Sequence, residues 1–287
     1  MPPAVVEVPA PTHRKPLHRL LDYALGFGSL TLILAAVVIA LRDDEPVDRA
    51  VSAAAPAPDF ASIPDASARK RAFFDYLAPM VSARNDWIRE QRSKLASLRS
   101  ALAQGETLGE GDAAYVDRLA DQYRIDAPED GVHVATIDRL LQRCDVIPPA
   151  LALAQAASES AWGTSRFARQ GNNYFGEWCF EEGCGIVPAS RAPGKTHEVE
   201  AFPTAQASVA SYFRNLNRVG AYQPLRERRA QARAEGRDID GRYLAGGLEK
   251  YSELGETYVK DIRSIIAFNE LDDRYALRGE TPELGGS

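Results

Sequence analysis

A single carboxylate near the end of an apolar stretch is the most chemically suggestive feature of this sequence. Glu159 follows a run of alanines and leucines that begins after Pro148-Pro149, and Trp162 and Gly163 come shortly after it. Proline is tolerated in the first helical turn and glycine commonly ends a helix, so the spacing predicts a helix with Glu159 in its last turn. The carbonyl end of a helix and apolar burial both favour a neutral acid. A neutral acid near pH 7 is what a glycosidase needs to protonate a leaving oxygen.

Two interpretations of this stretch are open. In the first, Trp162 packs over Glu159 and raises its pKa by excluding water. In the second, the segment is an ordinary amphipathic helix with a solvated glutamate near its end. The alternative for Trp162 is a core aromatic residue, which is compatible with packing over Glu159.

Further motifs follow in a fixed order. Asn173-Tyr174-Phe175-Gly176 comes first, then Glu198–Phe202, then a segment bounded by Tyr251 and Tyr258. With the Glu159 motif, this order resembles the glucosaminidase domain of family 73 glycoside hydrolases, and most of all its membrane-anchored Bax-type branch. The resemblance covers roughly residues 140–275. It implies a lysozyme-like α+β domain, mainly α, that hydrolyses the β-1,4 bond after N-acetylglucosamine in peptidoglycan without a cofactor, with Glu159 as general acid.

The second catalytic group is harder to assign. A glycosidase normally uses a second carboxylate, and Glu198 on the polar face of a predicted strand is the expected candidate. In several family members this acid lies on the first hairpin strand, but residues 185–191 contain none. Glu200, Glu181, Glu182 and the acetamido group of the substrate therefore remain alternatives.

The resemblance also implies a set of residues that bind the substrate. Tyr251 is expected to line the cleft near the scissile bond, and it is a catalytic candidate together with Glu159 and Glu198. Tyr258 starts a helix and is the less favoured of the two tyrosines for a place in the cleft. Asn173 either contacts a sugar amide or caps a local turn. The full set of predicted substrate-binding residues is Trp162, Asn173, Tyr174, Phe175, Trp178 and Tyr258.

An uncharged apolar run at residues 24–41 is long enough to be a membrane span. Basic residues precede it and mostly acidic residues follow it, which places the N-terminus in the cytoplasm and the rest of the chain in the periplasm. The alternative is a cleaved signal peptide with a small-residue site at Val38-Ile39-Ala40. The expected location is the bacterial inner membrane, with a single pass.

Charge and cysteine content restrict the remaining classes. The formal net charge of −6 gives no indication of nucleic-acid binding. Cys179 and Cys184 are candidates for a disulfide in an oxidising compartment, and Cys144 is expected to be a small buried hydrophobic residue. Zinc would need four ligands where Cys179, Cys184 and His197 offer three, so no metal site is predicted.

The predicted organisation has six parts. They are a cytoplasmic N-terminus (1–23), a transmembrane anchor (24–41), an Ala/Pro-rich linker (42–66), a helical hairpin (67–133), the glucosaminidase domain with a small β-hairpin (134–275) and a flexible tail (276–287). The helical hairpin either holds the domain away from the membrane or binds an unknown protein partner. Rival functions are a lytic transglycosylase, a murein-binding scaffold without catalysis, and a structural tether.

Overall fold

The computed structural model describes residues 56–126, 128, 131–189, 191 and 194–277. The predicted membrane segment 24–41 lies outside these residues, as do the N-terminus before it and nearly all of the tail. Within the described ranges, no helix is both long enough and apolar enough to cross a bilayer.

A long first helix, α1 (Ala66–Ala103), runs along the domain. Asp65 begins it, since its carboxylate accepts a hydrogen bond from the backbone amide of Ala68. The helix buries aromatic and aliphatic side chains, Phe73 and Phe74 among them. Its apolar face packs against α3 (Val134–Arg143), α4 (Pro149–Glu159) and α6 (Ala205–Arg218). The helix predicted to stand apart as half of a hairpin thus forms one wall of the main core.

The second helix of the predicted hairpin, α2 (Glu110–Gln122), lies beside α1. The Tyr115 hydroxyl donates to the Gln91 side chain at 2.6 Å, and Lys94 pairs with Asp112 at 3.0 Å. Helix α2 also contacts α3. In the described residues, helices on the two sides of the predicted boundary at residue 133 therefore pack against each other.

A buried charge cluster ties α1 to the segments before α4 and to α7 (Gln223–Ala234). Asp145 forms ion pairs with Arg92, Arg229 and Arg233 at 2.6–3.4 Å. Burial alone would raise the pKa of Asp145, but these guanidinium groups hold it below its usual value. The loop that precedes α4 is thereby fixed from two sides.

Helix α4 is the central element of the core. Every residue from Ala150 to Ala157 is buried, so the helix is enclosed on all sides. It packs against α1, α8 (Gly241–Ala245), α9 (Glu256–Phe268) and α10 (Leu271–Arg274). Helix α5 (Arg166–Gly171) follows it in the chain, and short 3-10 helices occupy Phe60–Ser62 and Gly220–Tyr222. Cys144 is fully buried, as expected.

A small antiparallel sheet covers one end of the helical core. Its strands are β1 (Trp178–Cys179), β2 (Gly185–Ile186) and β3 (Glu198–Glu200), in the order β1-β3-β2. The β2–β3 pair is the predicted hairpin, and β1 is an additional strand that the pattern did not indicate. The predicted fold class, α+β and mainly α with a small sheet, is confirmed for the described part of the chain.

Candidate active site

Glu159 is the last residue of α4, where the sequence placed it. The helix is closed by Ser160, whose hydroxyl donates to the Ala156 carbonyl and accepts from the Gly163 amide. Ala161 and Trp162 then adopt positive φ values of 50° and 59°. Two consecutive non-glycine residues in this region cost conformational energy, and such strain concentrates at functional sites.

The Trp162 side chain lies against α1 and not over Glu159. Its ring makes edge-on contacts with Phe73 and Phe74, and the Lys70 ammonium lies 4.7 Å from the ring centroid. It is absent from the lining of the cavity that contains Glu159. The structure thus places half-buried Trp162 in a packing contact between α1 and the α4 terminus, and the expected packing of its ring over Glu159 is not observed.

Glu159 opens onto a cavity of about 450 Å³. Tyrosines and acids dominate its wall, and the α4 terminus, the sheet, α6 and the loop before α9 all contribute. The lining residues are Glu159, Phe175, Gly176, Glu177, Trp178, Tyr212, Asn215, Tyr222, Tyr251, Ser252 and Glu253. A cavity of this size with a few convergent polar groups is suited to a small polar ligand.

Burial raises the pKa of Glu159, and a hydrogen bond from the Tyr258 hydroxyl opposes part of that shift. The carboxyl is half-buried, so its proton remains reachable from the cavity. A raised pKa with an open face is the condition a general acid requires near neutral pH.

A directional hydrogen-bond chain holds the Tyr258 hydroxyl toward Glu159. The Tyr212 hydroxyl donates to Gln155 Oε1 at 2.6 Å, and Gln155 Nε2 donates to the Tyr258 oxygen at 2.8 Å. Because Tyr258 already accepts from the amide, its own proton is free to be donated to Glu159. The three supporting side chains are buried.

The two tyrosines take different positions at the site. Tyr251 does line the cavity, but its hydroxyl donates to the Phe175 carbonyl at 2.9 Å. Tyr258, the less favoured of the two for a place in the cleft, is absent from the cavity lining but is hydrogen-bonded to Glu159. Their rings stack in parallel with centroids 5.4 Å apart. Tyr251 therefore forms part of the cavity wall, whereas Tyr258 contacts the acid.

Asn173 caps a turn, which was the second of its two predicted roles. Its Oδ1 accepts from the amides of Phe175 and Glu177, and its Nδ2 donates to the carbonyls of Glu177 and Glu200. The residue is 2 % exposed. With these bonds made, its amide has no donor left for a sugar, so Asn173 shapes the cavity indirectly by fixing Glu177 and β3.

Gly176 brings backbone up to the carboxyl of Glu159. Its φ of +68° belongs to the left-handed region, and a Cβ placed there would lie 3.3 Å from Glu159 Oε2. A glycine at this position leaves room for the acid and for a ligand atom beside it.

The three aromatic residues around this turn occupy three different environments. Tyr174 is buried against Phe73 and Tyr76 on the α1 side, away from the cavity lining. Phe175 lines the cavity floor and stacks on Tyr212 at 4.0 Å. Trp178 is 56 % exposed at the rim.

The structure does not bring Glu198 to the cavity. Its carboxylate accepts hydrogen bonds from the backbone amides of Gly183 and Gly185, at 3.3 and 2.8 Å, and the residue is 5 % exposed. Cys179, its partner across the strands, forms a disulfide with Cys184 that closes the same loop. Although these two sulfurs and the Glu198 carboxylate are close enough to share a cation, the sulfurs are bonded to each other, so they are not thiolate ligands.

Sequence reasoning missed Glu177, which lines the cavity together with Glu159 and Glu253. It directly follows the Phe175-Gly176 pair, so its position within a recognised motif was an available signal. Burial and the neighbouring Glu200 raise the pKa of Glu177 to about 8, although Ser211, Arg214 and Asn215 oppose the shift. The pKa of Glu200 is also raised by burial.

The part of the chain that contains this site is similar to known proteins. The Glucosaminidase family model, which is described as mannosyl-glycoprotein endo-beta-N-acetylglucosaminidase, matches residues 135–271. Protein bax of Escherichia coli (strain K12) is 31% identical over 201 residues, which cover 70% of this chain and 70% of the relative. No solved structure matches the chain significantly. The matched range contains Glu159, the sheet and the whole cavity lining.

Proposed function

This chain belongs to the glucosaminidase family, and from that premise we propose that it is a membrane-anchored peptidoglycan hydrolase. The reaction is cleavage of the β-1,4 glycosidic bond after N-acetylglucosamine. The observation that carries the proposal is Glu159, a carboxyl with a burial-raised pKa that opens onto a cavity of about 450 Å³.

Glu159 is the general acid in this proposal. In its protonated form it donates to the glycosidic oxygen as the bond to the anomeric carbon breaks, and the departing sugar leaves as an alcohol. The Tyr258 hydroxyl, oriented by Gln155, stabilises the carboxylate that remains. Water then adds to the anomeric carbon, and the proton that it releases restores the neutral carboxyl of Glu159.

The membrane attachment rests on the sequence. Residues 24–41 contain no charged side chain, and the charge distribution around them follows the positive-inside pattern. We propose that this segment anchors the chain in the inner membrane and leaves the domain facing murein in the periplasm.

The experiment is digestion of purified peptidoglycan by the full chain, followed by mass spectrometry of the released fragments. Three proteins are compared, namely wild type, Glu159→Gln and Glu249→Gln, which makes the same change at an exposed site. Products with N-acetylglucosamine at the reducing end, lost only in Glu159→Gln, support the proposal.

Other outcomes contradict it. Anhydro-sugar products would assign the chain to the lytic transglycosylases, which use one acid and no water. Binding of murein without release of fragments, equal in all three proteins, would favour a scaffold.

A further inference from the structure

Glu177 has a carboxyl group that the chemistry of Glu159 does not use. It lines the same cavity, yet it is only 8 % exposed. Its backbone is fixed at both ends by the Asn173 side chain, and its carbonyl also accepts from the Glu200 amide at 2.9 Å. The backbone that carries this carboxyl is therefore held in place by the fold.

The two oxygens of the Glu177 carboxyl differ sharply. Oε1 accepts hydrogen bonds from Asn215 Nδ2 and from the Ser211 hydroxyl. Oε2 is buried and has no hydrogen-bond partner in the described part of the protein. An unsatisfied buried polar atom is costly, so its presence on a residue that lines a cavity indicates that a ligand completes it.

The charge state of Glu177 follows from its surroundings. Burial and the adjacent Glu200 disfavour its ionised form and raise its pKa to about 8. Since Oε1 already accepts two hydrogen bonds, the proton of the neutral acid belongs on Oε2. The titratable and charged groups that interact with Glu177 are Glu200, Arg214, Arg218, Tyr212, Tyr222 and Tyr251, and Glu159 acts on the same three tyrosines.

We propose that Glu177 recognises the substrate by donating a hydrogen bond from protonated Oε2 to the acetamido carbonyl oxygen of an N-acetylated sugar in the cavity. Among the oxygens of such a sugar, the amide carbonyl is a stronger acceptor than a hydroxyl. This inference rests on the proposed function, because it takes the ligand to be an N-acetylhexosamine chain. It makes Glu177 a specificity residue that reads the N-acetyl group.

The test measures binding, so it is independent of cleavage. The full chain carrying Glu159→Gln, which removes the titration of that acid, is titrated calorimetrically with a β-1,4 tetramer of N-acetylglucosamine at about pH 7 and about pH 9.5, on either side of the Glu177 pKa. We expect binding to weaken on the order of tenfold at the higher pH, because an ionised carboxylate cannot donate.

Second-site variants separate this role from packing. Glu177→Gln retains a donor at every pH, so it should bind at both pH values with little difference between them. Glu177→Leu should bind weakly at both. A β-1,4 glucose tetramer, which lacks the acetamido group, should bind weakly and show no pH dependence. Thermal melts of each variant establish that it is folded.

Glu200→Gln supplies an internal check. It removes the neighbouring charge, so the Glu177 pKa should fall and the loss of binding should begin at lower pH. Binding that is independent of pH, or equal loss in Glu177→Gln and Glu177→Leu, overturns the inference. Cleavage by wild type with pH-independent binding defeats this inference alone, whereas pH-dependent binding without cleavage defeats only the proposed hydrolase.

Discussion

Glu159 and Glu198 were both expected to act on the substrate, and the fold gives their carboxyl groups opposite surroundings. Glu159 is half-buried at a cavity, with a raised pKa and a hydrogen bond from Tyr258. Glu198 is almost fully buried, and each of its oxygens accepts from a loop amide. Both are acids in the matched domain, yet one faces a ligand-sized space and the other stabilises a turn. The partners already bound to a carboxylate thus distinguish a reactive acid from a structural one better than its place in a motif does.

Activity measurements should separate these two acids by the largest margin. Removing the proton donor in Glu159→Gln should reduce peptidoglycan cleavage by about 10²–10⁴-fold. Glu198→Gln should leave cleavage per folded molecule within about twofold. Turnover is normalised to folded protein by circular dichroism. A comparable collapse of activity in folded Glu198→Gln would return the second catalytic role to that residue.

The pH dependence of stability should show that Glu177, like Glu159, has a raised pKa in the folded protein. Its pKa is raised from 4.5 to about 8 in the fold, so the folded state binds more protons than the unfolded state between these values. Its contribution to stability is therefore present below about pH 4.5 and is lost as the pH rises through about 8.

Urea unfolding at several pH values measures this contribution directly. In Glu177→Gln the decline in the free energy of unfolding between those pH values should become shallower. Identical slopes in wild type and variant would mean that Glu177 titrates normally in the folded protein.

Two glycines offer a matched pair of substitutions beside the two acids. A Cβ at Gly185, whose amide donates to Glu198, would lie 2.0 Å from the Val199 carbonyl oxygen, so Gly185→Ala must separate β2 from β3. We expect a loss of about 3 kcal/mol or more in the free energy of unfolding.

Gly176→Ala, beside Glu159, should instead cost only about 1 kcal/mol for its positive φ. Its methyl group would crowd the acid, however, and cleavage should fall about tenfold. Thermal melts and turnover together test the pair. Equal destabilisation by both alanines would contradict the difference between the open surroundings of Glu159 and the tightly packed surroundings of Glu198.

Asn173→Ala should weaken the turn that links the two regions. The change removes hydrogen bonds to the backbone of Phe175, Glu177 and Glu200 and leaves buried donors and acceptors unpaired, so we expect about 2–3 kcal/mol of destabilisation. Chemical denaturation provides the measurement, with Asn172→Ala, one residue earlier and less buried, as the comparison. If Asn173 contacted the sugar directly, Asn173→Ala would instead lose substrate binding while keeping its stability.

The smallest effect is expected from Tyr258→Phe. Its hydroxyl lowers the Glu159 pKa against the effect of burial, so removing it should raise that pKa further. The alkaline limb of the cleavage profile, where the acid loses its proton, should then move to higher pH by about one unit or less. Tyr251→Phe is the control, since its hydroxyl donates to a carbonyl. A shift toward lower pH would show that Tyr258 does not donate to Glu159.

Local sequence patterns predicted the elements well. The apolar run after Pro148-Pro149 does form a helix ending at Glu159, and the β2–β3 hairpin lies where alternation indicated. These features succeed because burial on one face, proline at a helix start and strand alternation act over a few residues. The extra strand β1, only two residues long, is too short to leave a periodic signal.

The contacts within the site depended on distant segments. Gln155 is hydrogen-bonded to Tyr258, 103 residues away in the sequence. Trp162 packs against aromatic residues of α1 and not over Glu159. Periodicity indicates that a side chain is buried but not which partner buries it. A continuous helix such as α1 gave no sign that it would enter the core instead of standing apart.

The sequence by itself determined the helical framework, the position of Glu159 at a helix end and the order of the family motifs. Only the tertiary structure decided which acids share the cavity, which tyrosine touches Glu159 and how Asn173 is engaged. The physical reason is that helix ends and strands arise from neighbouring residues, whereas a raised pKa requires desolvation and charges supplied by several elements at once. For Glu177 those elements are β3 and α6, which become its neighbours only when the chain is packed.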